Sequence, residues 1–415
     1  MEIKEILYNL KIFIKWVFIS FIVGTILGFV GVAFHILLEY ATEYRNLHKS
    51  IIWLLPLGGL VIAFLYKKAN MLGGKGTDLI LMTIRSESDK PRLVTAPLIF
   101  IGTVITHLFG GSAGREGAAL QLGGSIAGYI GEKIGLEQKE ITIITMCGMS
   151  GAFAALFGTP LTSAIFSMEV ISVGIMYYSA IVPCLISAVI GSEIAKAFGI
   201  APTFFKIDII PSVAMFTLAK VIILVAIFAA VSYIFCKTIH VSSNIYSKYF
   251  KNPFVKIVVG GILVCVLTFV IGTTDYNGAG MDIIAKAISS GEAKPTAFIM
   301  KIIFTAITLG AGYKGGEIVP AFFTGATLGA FASQFLGLPS GFAGALGLIG
   351  LFCAATNCPL TSTIISIELF GAEGLVYFAV IAGVSYMLSG YHGLYSAQKI
   401  MYSKVKAEYI NKEII

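Results

Sequence analysis

The sequence predicts an all-α polytopic membrane protein built from two repeated halves with interrupted helices. Three observations carry that prediction. The 415-residue chain is 57% hydrophobic and only 12% charged, with a mean hydropathy of +0.90, whereas a soluble domain carries roughly 25% charged residues. Apolar runs of membrane-spanning size recur along it. A glycine-rich segment and the segment after it in the first half also return in the second.

The first long run, IKWVFISFIVGTILGFVGVAFHILL (Ile14–Leu38), has no small-residue cleavage site behind a short core. It reads as a retained span, not a signal peptide. Further runs lie at Ile51–Tyr66, Tyr177–Gly191, Val221–Phe235 and Val258–Gly272. A spanning helix needs about 20 apolar residues, and shorter runs suit re-entrant segments. The cysteines, Cys147, Cys184, Cys236, Cys265, Cys353 and Cys358, lie in or beside apolar segments without metal-ligand spacing. They read as small packing residues, with no metal or other cofactor expected. The net charge of +7 needs no nucleic-acid partner, because basic residues mark membrane borders. Lys4, Lys11 and Lys15 near one end and Lys399, Lys404, Lys406 and Lys412 near the other place both termini in the cytoplasm, which requires an even number of crossings. Trp16 and Trp53 read as membrane-interface residues.

The repeat is clearest between GAFAALFGTPLTSAIFSMEV (Gly151–Val170) and GLFCAATNCPLTSTIISIEL (Gly350–Leu369). At an offset of 199 (350 − 151), Pro160 matches Pro359 and Glu169 matches Glu368. The two glutamates read as structural caps or polar groups at the cytoplasmic end. Upstream, GGSAGREGAALQLGGSIAG (Gly110–Gly128) aligns with LGAGYKGGEIVPAFFTGATLG (Leu309–Gly329) at an offset of 201 (317 − 116), placing Glu116 on Glu317. The halves are drawn at residues 1–240 and 253–415, separated by the polar stretch His240–Asn252, with no soluble regulatory domain.

Arg115 and Glu116 sit between glycines inside hydrophobic sequence, where an unpaired buried charge costs several kcal/mol. Irregular backbone at membrane depth is tolerated only in the protein interior or along a watery cavity. Helix N-termini offer free N–H groups and a positive dipole end. Two such termini meeting from opposite halves predict an anion site near the bilayer midplane. GGSIAG and GATLGA suit close helix packing, and His107 reads as a packed, hydrogen-bonded histidine. An intramembrane hydrolase is excluded by the absence of GxSxG and HExxH patterns. A cation filter motif and a P-loop are also absent.

GREG at Gly114–Gly117 resembles the signature of the CLC anion channels and transporters, and the resemblance extends over nearly the whole chain. GGKGTD (Gly73–Asp78) falls where that family has its first anion-binding turn, GGEIVP (Gly315–Pro320) at a later one, and GLYSA (Gly393–Ala397) at the last, with Tyr395 as its tyrosine. The resemblance implies the CLC-type fold, with inverted halves and broken re-entrant helices, and a homodimer with one pore per subunit. It implies a gating and proton-coupling role for Glu116. It also implies an anion path along Gly74, Lys75, Gly76, Gly114, Arg115, Gly117, Glu317, Ile318, Val319 and Tyr395. Arg115 is expected mainly to hold its turn, and Lys75 to snorkel to the interface.

The departures from the pattern narrow the expectation. Lys75 replaces the serine of the first turn, Ala118 replaces the proline after GREG, and Val170 stands at the position of the usual inner proton-transfer glutamate. Glu317 stands where the later turn usually has a hydrophobic residue. Together these resemble the family's bacterial fluoride/proton antiporters, although Val319 stands where that branch often has threonine. The expectation is a multi-pass inner-membrane exporter of fluoride against protons, with Glu317 as a second proton-carrying group. A chloride/proton antiporter and a passive chloride channel are the alternatives.

Overall fold

Glu2–Leu47 forms a single 46-residue helix, α1, about 70 Å long at 1.5 Å per residue and so far longer than a bilayer core. The computed structural model describes residues 2–73, 76–85 and 92–414. After α1 come α2 (Leu55–Lys68), α3 (Thr77–Ile84), α4 (Thr95–Leu108), α5 (Glu116–Lys133), α6 (Gln138–Phe157), α7 (Pro160–Glu169) and α8 (Ile181–Ala197). A second series follows: α9 (Met215–Tyr249), α10 (Pro253–Ile271), α11 (Met281–Ser289), α12 (Ala297–Gly310), α13 (Ile318–Leu336), α14 (Ser340–Thr356), α15 (Pro359–Phe370) and α16 (Leu375–Leu388). Its order of lengths echoes the first. Each series opens on its longest helix, places a helix of 8 or 9 residues third and one of 14 residues fourth.

Local chemistry sets several of these boundaries. Pro160, Pro253 and Pro359 occupy the first positions of α7, α10 and α15, where the missing N–H loses no helical bond. Gly158, Gly272 and Gly337 stop α6, α10 and α13 in the left-handed conformation.

Among the described residues, seven helical segments are long and apolar enough to cross a membrane. Those on α9 and α10 carry broadly exposed apolar side chains, such as Phe216, Phe269 and Val270, as lipid contact requires. Helices α6 and α13 are almost wholly buried. Small residues bring their backbones against their neighbours. A Cβ added at Gly123 would collide with the Gly148 carbonyl, and one at Gly325 with the Gly347 carbonyl. The α5–α6 and α13–α14 pairs are therefore packed in the same way. All six cysteines are buried and free, as expected of packing residues. Trp53 is exposed, but Trp16 belongs to the core and does not sit at a surface as the sequence suggested.

The Pro-Leu-Thr-Ser helices exchange caps. The Glu169 carboxylate, at the end of α7, accepts from the Leu360 and Thr361 amides of α15 at 3.0 and 2.8 Å. The Glu368 carboxylate, on α15, accepts from the Leu161 and Thr162 amides of α7 at 3.0 and 2.8 Å. Each glutamate thus fills the amides that its partner helix leaves open after a proline start. Among the described residues, three short strands complete the fold. β1 (Ser172–Val173) pairs in parallel with β2 (Lys399–Tyr402), which pairs antiparallel with β3 (Tyr409–Glu413). The end of the chain is therefore stitched to the segment that follows α7.

Candidate functional site

Two buried helices begin beside one another, each with a carboxylate at its start. Helix α5 starts at Glu116 with Arg115 as N-cap, and α13 starts at Ile318 with Glu317 as N-cap. Neither N-cap side chain bonds its own helix, so the first-turn amides are left to other partners. An antiparallel bridge ties the turns ahead of them. The Gly114 amide donates to the Gly316 carbonyl at 2.7 Å, and the Gly316 amide returns the bond to Gly114 at 2.8 Å. Glycine is required here. A Cβ on Gly316 would strike the Gly117 nitrogen, and Gly315 adopts φ +156.

This bridge corrects the repeat register. Gly114 opposes Gly316, and the two N-caps correspond, so the offset is 202 (316 − 114; 317 − 115). Arg115 is the counterpart of Glu317, and Glu116 of Ile318. The offset of 201 read in the sequence was one residue short, because runs of adjacent glycines match almost equally well when slipped by one.

The two glutamates accordingly reach the site from different helix positions. Glu116 is fully buried. Its Oε2 accepts from the Val319 amide, in the first turn of α13, at 3.3 Å, while its Oε1 is buried without a hydrogen-bond partner. Glu317 Oε2 is also buried without a partner. It lies against Gly117, where an added Cβ would come within 3.4 Å of it, 3.2 Å of Thr77 Oγ1 and 3.2 Å of Gly316 Cα. Thr77 Oγ1 donates to the Gly117 carbonyl at 3.4 Å and accepts from Gln121 Nε2 at 3.2 Å.

A cavity of about 190 Å³ opens here, lined by Gly76, Thr77, Gln121, Glu317 and Tyr395 among others. Tyr395 is only 3% exposed, and its hydroxyl has no partner. Buried polar atoms are normally satisfied. Two unsatisfied oxygens on one small cavity suit a small polar guest that pairs with them.

Tyr395 is held in place from behind. The Gln398 amide donates to the Tyr395 carbonyl at 3.0 Å. The buried Gln398 side chain donates to the carbonyls of Val170 and Thr356 at 2.8 and 2.9 Å and accepts from Asn357 at 3.0 Å. Val170, at the usual position of the inner glutamate, is buried, with its carbonyl occupied by Gln398.

Of the residues expected at the site, the fold brings together Gly76, Gly114, Glu116, Gly117, Glu317, Ile318, Val319 and Tyr395. Gly74 and Lys75 lie outside the described residues. The Arg115 side chain is turned elsewhere. Its guanidinium donates to His35 Nδ1 at 3.1 Å and to the Leu156 carbonyl at 3.3 Å, and stands 5.4 Å from the Phe157 ring centre. That placement suits a residue holding its turn. His107 is packed in the interior with Nδ1 on the Thr103 carbonyl at 2.9 Å. Sequence reasoning did not select Thr77, Gln121 or Gln398. Gln121 carries a usable signal, as the one amide in an otherwise small and apolar run, GAALQLGG. Gln398 carries none, because its partners lie 42 and 228 residues away.

A family model described as voltage gated chloride channel matches residues 58–390. A curated chloride/fluoride channel protein of Pseudomonas syringae pv. tomato is 32% identical over 94% of this chain and 87% of its own length. The crystal structure of a CLC-type fluoride/proton antiporter superposes with a TM-score of 0.89 at 28% identity, covering 92% of this chain and 97% of that one. A slow cyanobacterial Cl⁻/H⁺ antiporter superposes with a TM-score of 0.76 at 20% identity, which speaks for the fold alone.

Proposed function

Because this chain belongs to the voltage gated chloride channel family, we propose that it exports fluoride in exchange for protons, with Glu116 as gate and Glu317 as a second proton-carrying group. One observation carries this reading. The Glu116 carboxylate rests on the Val319 amide at the start of α13, the seat that a helix N-terminus provides for an anion. A carboxylate there competes with the permeant ion while charged. Once protonated it loses that attraction and releases the seat, so anion and proton alternate on one group. Fluoride is small and strongly hydrated, so a site that strips its water must return strong donors. A protonated Glu317 and the Tyr395 hydroxyl supply two. The likeness to the Pseudomonas chloride/fluoride channel protein and to the CLC-type fluoride/proton antiporter supports fluoride as the ion.

The reading includes two halves that share this site. The order of helices supports a border between α8 and α9, since the stretch 240–252 falls partly within α9. It also includes two copies paired in the inner membrane, each with its own pathway and with both termini in the cytoplasm. Efflux from vesicles reconstituted with purified protein tests the ion. Fluoride should leave at least about tenfold faster than chloride, the ratio given by roughly 1.4 kcal/mol of preference. Equal rates would contradict fluoride selectivity.

A further inference from the structure

A second, larger cavity of about 690 Å³ adjoins the first and shares part of its wall. Asp78, Leu309, Glu317 and Leu394 line both cavities. The larger one continues along α9 past Cys236 and His240 to Lys237 and His392, and reaches Ile414 beyond the C-terminal strands. It therefore runs from Glu317 toward the face that carries β2 and β3. At about 30 Å³ per water, it has room for a chain of water molecules. The position where the family's inner proton-transfer glutamate is expected holds Val170, an apolar side chain sealed in the core. A proton that reaches Glu317 needs another way to that face.

His240 is built for such a transfer. Its Nε2 lies 3.0 Å from the Gly393 carbonyl. A carbonyl only accepts, so Nε2 carries the hydrogen and Nδ1 is left to take up a proton. Asp78 lines the same cavity, its carboxylate accepting from the Ala397 amide at 3.1 Å and from the Ser396 hydroxyl. Among the described residues, the other titratable groups lining this cavity are Tyr233, Cys236 and Lys237 on the same helix as His240, Glu317 at the start of α13 and His392 in the C-terminal turn. The Lys237 ammonium is occupied by the Tyr233 hydroxyl at 2.9 Å, and the Tyr233 ring packs edge-on against His392.

We propose that this cavity is the inner proton route of the transporter and that His240 carries the proton between Glu317 and the water on the C-terminal face. The Glu317 carboxyl gives its proton through water to His240 Nδ1. The resulting imidazolium, in the cavity that the Asp78 carboxylate also lines, releases that proton to the outer water and returns to its starting tautomer. Nothing is oxidised or reduced, and Nε2 keeps its hydrogen, donated to the Gly393 carbonyl, throughout. The inference rests on the antiport reading given above.

The test is proton-coupled fluoride efflux from vesicles at several internal pH values, with fluoride binding measured separately by calorimetry. His240→Gln keeps a donor for Gly393 but has no group that takes up a proton. It should bind fluoride as the parent does, turn over about tenfold more slowly and lose the parent's dependence on internal pH. His240→Ala should be slow as well, and imidazole trapped inside the vesicles should restore it. Parent-like turnover in both variants would overturn the proposal. So would a slow His240→Ala that imidazole does not restore, because that result assigns His240 to holding Gly393. If the parent protein moves fluoride without protons, the antiport reading falls and takes this inference with it.

Discussion

Glu116→Gln should uncouple the two ions. The amide has the size of the carboxyl group, and its oxygen can still accept from the Val319 amide, so the turn keeps its shape. What disappears is the charge that favours the seat and the proton that releases it. Placing a negative charge at a helix N-terminus contributes typically 0.3–1 kcal/mol, and up to about 2 kcal/mol in partly buried geometry. That term is present only while Glu116 is ionised, and its loss on protonation is what ties the gate to proton uptake. The expected result is a fall in protons moved per fluoride to the level of empty vesicles, with anion movement that no longer responds to external pH. The check is a fluoride electrode and a pH electrode reading one suspension. Unchanged coupling would remove Glu116 from the proton path.

Glu317 separates into two roles that different substitutions expose. Glu317→Ala removes a hydrogen-bonding group from the cavity shared with Tyr395. A hydrogen bond to a charged partner contributes roughly 1.5–3 kcal/mol, so fluoride preference over chloride should fall by about 10- to 150-fold. Glu317→Gln leaves an N–H donor in place. It should retain most of the preference but lose turnover, because an amide neither accepts nor releases the proton. The ratio of fluoride to chloride efflux reports the first effect, and the absolute fluoride rate the second. If both variants kept the parent's rate and preference, the unpartnered Glu317 oxygen would have no part in transport.

The fold class was legible in the sequence because its causes are local. Long apolar runs demand a lipid surround, and a proline at the first helical position fixes the start of a helix. Pro160 and Pro359 therefore aligned without ambiguity, and the glutamates nine residues after each were legible as caps. That each caps the other half's helix was not legible, since nothing in either segment names a partner about 200 residues away. The glycine turns were legible in kind but not in register. A one-residue slip between glycines costs the alignment almost nothing, whereas the Gly114–Gly316 bridge admits a single register. That slip had a consequence for the site. It made Glu116 and Glu317 equivalents, whereas Glu317 is the counterpart of Arg115 and faces the cavity that Arg115 turns away from. The direction of the Arg115 side chain depends on His35, Leu156 and Phe157, and Tyr395 depends on Gln398 behind it. These contacts join segments far apart in sequence, so no local pattern announces them.

In the proposed cycle, fluoride and protons move in opposite directions and each step depends on the other. The most direct measurement is proton movement driven by fluoride alone. Vesicles containing the protein would start at equal pH on both sides, with the membrane potential held at zero and a high fluoride concentration inside. Outward fluoride flow should draw protons inward, so the external solution turns alkaline while protein-free vesicles show no change. Fluoride efflux with no pH change would contradict it and make the protein a passive anion channel.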